Sequence, residues 1–271
     1  MKVSRATVAL THLLGLGAFL YPFFGRGVAQ NGERLSHAGD APVLFSLLGA
    51  LLIAIAVSDV RGGRMDAKHV ALLGVLSGVN AMLRVPGALA GASLMFVLPI
   101  LCGYAFGARF GFLLGTSSMA ASAAITGGIG PWLPFQMWAL GWIGAGAGLL
   151  RRPLSRSRDG RAAVTALAAY GWIAGIAYGV IINLWFWPFL RGVSEVSWTP
   201  GLGVGATAVR YWRFYLLTSL AWDSARAFAN ALLVLFLGRP LLRLLLRFHG
   251  RFDVRWSPGR AEPSVRATMG A

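Results

Sequence analysis

Eight apolar stretches, each about as long as a bilayer is thick, follow one another along this chain and leave few folds open to it. They cover residues 6–24, 41–60, 67–84, 93–108, 109–126, 135–150, 163–187 and 211–238. A backbone in hydrocarbon must satisfy its own hydrogen bonds, so repeated spans of this kind predict a bundle of α-helices. Only 13% of residues are charged and 56% are hydrophobic, with a mean hydropathy of +0.65. A soluble domain carries roughly 25% charged residues. The 36 glycines suit close helix contacts in lipid. The expected class is an all-α integral membrane protein.

The net charge of +16 could suggest nucleic acid, but the basic residues cluster between apolar spans. With a cytoplasmic N-terminus, one side holds Lys2, Arg5, Arg61, Arg64, Lys68, Arg109, Arg151, Arg152, Arg156, Arg158 and Arg161. It also holds Arg239, Arg243, Arg247, Arg251, Arg255, Arg260 and Arg266. The other side holds Arg26, Arg34, Arg84, Arg191, Arg210 and Arg213. That asymmetry predicts both termini in the cytoplasm. It places the loops around 85–92, 127–134 and 188–210 outside. Lys2 and Arg5 ahead of the first span allow a signal peptide, with Gly27-Val28-Ala29 weakly cleavage-like. The length of the apolar run and its Tyr21-Pro22-Phe23-Phe24 ending favour a retained helix.

Several chemistries lack their residues. No G-x-x-x-x-G-K-[ST] loop is present, and Lys2 and Lys68 are the only lysines, so the chain is not its own P-loop ATPase. One cysteine, Cys102, and four scattered histidines give no metal-ligand spacing and no disulfide framework. Of the histidines, His12 lies inside the first span and His69 at the start of the third, and no G-x-S-x-G occurs. Asp59, Asp66, Asp159 and Asp223 never pair with another carboxylate at helical spacing. Neither an enzyme nor a resident cofactor is expected. Binding and passage remain.

Residues 127–150 concentrate the signal for binding. Gly127-Gly128-Ile129-Gly130-Pro131-Trp132-Leu133-Pro134-Phe135-Gln136-Met137-Trp138 runs from a Gly/Pro/Trp loop straight into an apolar helix. Prolines fix the backbone, glycines allow tight turns, and the ring-rich start of the helix delivers one amide, Gln136. Such a loop can wall a small-molecule site, with Trp132, Phe135, Gln136 and Trp138 as its candidates. It can equally be an aromatic belt at the membrane surface.

Two spans carry further candidates. Ala67, Ala71, Gly74 and Gly78 share one face of the third span, which allows close approach of another helix, in the same subunit or in a partner. The eighth span holds Trp222, Asp223, Arg226 and Asn230. Asp223 and Arg226 are three apart and are expected to pair, because a lone charge in hydrocarbon costs a few kcal/mol. The pair can serve a site or lock helices together. Asn80 and Asn183 pose the same question more weakly.

From about Asp66 onward, the chain resembles the substrate-binding subunit, or S component, of energy-coupling-factor (ECF) vitamin transporters. The resemblance rests on Asp66-Ala67-Lys68 through Asn80, on Leu98-Pro99-Ile100-Leu101 with Gly103-Tyr104-Ala105-Phe106-Gly107, and on Phe110-Gly111-Phe112. It rests further on Thr126 through Met137 and on Trp222-Asp223 with Arg226 and Asn230. It implies a six-helix core over 66–248, preceded by two additional transmembrane helices in 1–65 and followed by a basic, disordered tail over 249–271. It implies a vitamin ligand near the outer face, bound by Trp132, Phe135, Gln136, Trp138, Trp222, Asp223 and Arg226. It also implies docking through Ala67, Ala71, Gly74 and Gly78 onto a membrane coupling subunit driven by ATPases. The Gly-Pro-Trp-Leu-Pro-Phe-Gln-Met loop resembles the subgroup assigned to cobalamin or corrinoid precursors, though the same aromatic residues suit other vitamins. A membrane scaffold or small-molecule sensor using the same pocket is the alternative.

Overall fold

The computed structural model describes residues 2–24, 39–84, 94–154, 160–190 and 195–252. The expected loop at 85–92, the cleavage-like Gly27-Val28-Ala29 and the tail from residue 253 lie outside them. The described residues are helical with no strands: α1 (Lys2–Leu20), α2 (Ala41–Arg61), α3 (Ala67–Met82), α4 (Val97–Phe106), α5 (Ala108–Thr126), α6 (Leu133–Leu149), α7 (Gly160–Asn183), α8 (Val204–Thr218) and α9 (Leu220–Phe252). A single helical turn, Arg151–Leu154, links α6 towards α7.

Among the described residues, four segments are long and apolar enough to cross a membrane: Arg5–Phe23, Ala41–Arg61, Gly160–Phe189 and Leu220–Gly250. The centre is built from shorter helices. All residues of α4 from Val97 to Ala105 are buried. A helix apolar on every side belongs inside a bundle, where neighbours rather than lipid surround it. Glycine sets how closely these helices meet. A Cβ on Gly103 of α4 or on Gly111 of α5 would overlap the Gly144 carbonyl of α6. Without a strong hydrophobic force between helices in lipid, such backbone contact supplies the packing. The α4–α5 turn passes through Gly107 at φ +99°, and α5 ends on Gly127 at φ +68°, both readily adopted by glycine.

Helices α1 and α2 join this core. Trp138 of α6 donates its indole N–H to the Thr11 carbonyl at 3.0 Å, and Trp142 donates to His12 Nδ1 at 3.0 Å. Gly15 lies against the Trp138 ring. At the other end of the bundle, Asp59 of α2 receives Arg64 at 2.7 Å and Arg109 of α5 at 2.5 Å. Ala18, Phe19, Leu48 and Ile55 belong to the same hydrophobic core as α4–α6.

The apolar run 211–238, expected as one span, is two helices. It breaks at Ser219, which caps α8 and accepts a hydrogen bond from Asn183 Nδ2 at 2.8 Å. Helix α8 packs Tyr211 and Phe214 into a separate aromatic cluster with Trp187 and Trp198. Helix α9 packs instead on α7 and runs 33 residues, past the expected end at 238. Both helices are rich in apolar residues, so hydropathy alone does not mark the joint.

Candidate ligand-binding site

The loop after α5 is held by its own tryptophan. Trp132 donates its indole N–H to the Gly128 carbonyl at 3.2 Å, and Gly130 sits under the same ring. Trp132 is the N-cap residue of α6, and Pro134 lies in its first turn, where a missing N–H costs nothing. This start places Phe135 fully buried and Gln136 half-buried. Trp185, just after α7, stands 6.4 Å from the Trp132 ring and 6.2 Å from the Phe135 ring. Arg84, at the end of α3, donates to Gln136 Oε1 at 3.3 Å and approaches Met119 Sδ at 3.5 Å.

A second polar group lies at the start of α9. Arg226 Nη1 is 2.8 Å from Asp223 Oδ1, so the expected ion pair is present. The Arg226 guanidinium also lies 5.2 Å from the Tyr178 ring centre and 5.9 Å from Phe96, within cation–π range. Tyr178 also meets the Phe96 ring edge-on at 5.0 Å, so both rings flank the guanidinium. The Tyr215 hydroxyl of α8 lies beside the Asp223 carboxylate. Among the described residues, both Asn230 amide atoms are buried without a hydrogen-bond partner. Buried polar atoms normally find partners, so Asn230 has capacity to spare.

The opposing face of α7 explains why the pair fits. Gly171, Gly175 and Gly179 repeat every four residues along it. A Cβ on Gly175 would come within 2.6 Å of Ala227 Cα, and one on Gly179 would overlap the Asp223 carboxylate.

Of the residues expected in the site, Trp132, Phe135 and Gln136 gather at one mouth, while Asp223 and Arg226 pair beside Tyr178 at the start of α9. Trp138 turns the other way, fully buried against α1. Trp222 is 63% exposed on the outer surface of α9. The sequence alone does not single out Arg84, Met119, Tyr178 or Tyr215 for the site. The available signal was Arg84 as a cation directly after an apolar span, and Tyr178 as a phenol inside one. Asn80 donates to Ser118 Oγ at 2.9 Å, a contact between α3 and α5.

Ala67, Ala71, Gly74 and Gly78 are all exposed, and nothing lies within 4 Å of a Cβ built on Gly74 or Gly78. The face is therefore not used for packing inside the described subunit. Asp66 caps this helix by accepting the His69 backbone N–H at 2.9 Å, which holds its carboxyl below the usual carboxylate range. A cavity of about 550 Å³ lies beside that cap, lined in part by Asp59, Arg64, His69 and Arg109.

These features define a multi-helix membrane protein with a polar cluster enclosed by aromatic residues at one end of the bundle and a bare small-residue helix face. Residues 68–238 match the family described as ECF transporter, substrate-specific component, and the chain belongs to that family. Members are transport subunits rather than enzymes, and membership implies a small-molecule substrate together with coupling and ATPase subunits. Comparison with curated proteins gives no match. Comparison with solved structures gives none either.

Proposed function

We propose that this chain captures a vitamin at its outer face, with cobalamin or a corrinoid precursor as the favoured ligand, and passes it on through its coupling partner. The observation that carries the reading is the mouth where Trp132, Trp185, Gln136 and Arg84 converge. Aromatic walls with a few convergent polar groups suit a flat ligand rimmed by amides. The Asn230 amide, without a partner among the described residues, supplies a donor and an acceptor for such a rim. Trp138 and Trp222 support this site from outside it, through the α1 contact and the lipid-facing side of α9.

Binding measured on the purified chain tests the reading. Trp132→Ala and Gln136→Ala should each weaken cobalamin binding by about tenfold, the value of one lost stacking or hydrogen-bonding contact. Unchanged thermal unfolding would show that the loss is local. Isotherms matching the parent would reduce the loop to an interfacial anchor.

The arginine and lysine asymmetry supports an arrangement with both termini in the cytoplasm and this mouth outside. Single cysteines at positions 155 and 255, in a chain with Cys102 replaced, should resist an impermeant thiol reagent in intact cells. Labelling at either position would reverse the orientation.

A further inference from the structure

We propose that Arg84 and Gln136 form an anion-recognising subsite, so that the captured molecule carries a carboxylate or a phosphate. The inference rests on the capture reading above and adds the chemical class of the ligand.

Arg64 and Arg109 share Asp59, and Arg226 holds Asp223. Arg84 is half-buried at the mouth, yet its neighbours are an amide oxygen and a thioether. Among the described residues, no carboxylate lies within ion-pairing distance of it. A desolvated guanidinium with such weak partners retains most of its capacity for an anion. Its planar fork matches a carboxylate or phosphate.

Gln136 reinforces this polarity. Its Oε1 accepts from Arg84, so the group it offers a ligand is its NH₂, a second donor. Trp132 and Trp185 stand beside this pair with ring centres 6.4 Å apart and can flank a flat body. The far end of the cluster has the opposite character. There Arg226 is neutralised by Asp223. An anionic group is attracted to the Arg84 end and meets an already paired cation at the Arg226 end, so the two ends also orient the ligand.

The test uses pairs of vitamins that differ in one anionic group, bound to the purified chain in lipid nanodiscs. Pantothenate with pantothenol and biotin with biotin amide test a carboxylate. Cobinamide phosphate with cobinamide, which lacks the phosphate, tests a phosphate. The parent should bind the anionic member of one pair about 10- to 100-fold more tightly, the range of a charge-assisted hydrogen bond. The pair that shows this preference tells carboxylate from phosphate. Arg84→Gln should remove the preference while leaving the neutral member's affinity in place, and Arg84→Lys should keep part of it. If Arg84→Gln does not fold, Gln136→Glu decides, because a carboxylate placed against Arg84 should abolish the same preference. Equal binding of both members, or equal weakening of both by Arg84→Gln, overturns the subsite and leaves vitamin capture standing. If no member of any pair binds the parent, the capture reading falls and the subsite falls with it.

Discussion

Asp223→Asn and Arg226→Gln should each cut the yield of folded protein sharply, and the double variant should restore it. The two side chains are 4% and 17% exposed, and their closest atoms are 2.8 Å apart. Removing one partner of a buried pair strands the other, at a cost of about 3–5 kcal/mol. That is roughly two to three decades in the folded fraction, enough to empty a marginally stable protein's native state. Relief by movement is restricted. The Asp223 carboxylate occupies the space where a Cβ on Gly179 would be, and Ala227 fills the space next to Gly175. Neither helix can slide without losing the glycine contacts along α7. The neutral double variant leaves no bare charge, so most of the loss should return. Yield of monodisperse protein on gel filtration reads the outcome. Ligand binding by the recovered double variant adds a second readout. Recovery of folding without binding places the pair in the site, and recovery of both makes it a lock between α7 and α9. Single variants as stable as the parent would mean that one of the two groups reaches water.

What the sequence reveals about this protein follows from what hydropathy measures. Seven of the apolar stretches end within a few residues of the helices, because burial in lipid demands apolar residues whatever the helices touch. The eighth fails at Ser219, since a change of direction between two apolar helices leaves hydropathy unaltered. The Asp223–Arg226 pair is legible because two opposite charges at helical spacing inside an apolar run have little other recourse. Trp138 shows the opposite case. Its position in the ring-rich loop suggests a ligand wall, yet its face of α6 meets Thr11 and Gly15 of α1, more than a hundred residues away in sequence. Arg84 is missed for the same reason. Counted with the outer basic residues, it looks like an ordinary flanking cation, and only the fold brings it to Gln136. Glycines 171, 175 and 179 form a regular stripe, but glycine is so abundant here that the stripe gains meaning only beside Asp223 and Ala227.

Gly74→Trp should stop uptake while leaving ligand binding by the isolated chain intact. Helix α3 has two unlike faces. One is tied to α5 through Ser77 to Ser117 at 2.6 Å and Asn80 to Ser118 at 2.9 Å. The other presents Ala67, Ala71, Gly74 and Gly78, with open space beyond both glycines. An indole on the open face meets nothing in this subunit, so it should cost little stability. Against a partner helix packed at backbone distance, the same indole is several methylenes too large. Overpacking of a close interface costs about 1–3 kcal/mol or more, which lowers association by roughly 10- to 100-fold. Transport in cells expressing the coupling and ATPase subunits should fall by at least that factor, with the isolated chain's Kd within about twofold of the parent. Ala71→Trp, one turn earlier on the same face, should behave alike. Val79→Trp is the control, since it lies on exposed α3 surface and is neither three nor four residues from any member of the small-residue stripe. Should Val79→Trp abolish uptake as well, any bulk on α3 would suffice and the stripe would lose its specific role. Should Gly74→Trp reduce binding and uptake together, the face would serve this subunit's own packing, against the open space seen around it.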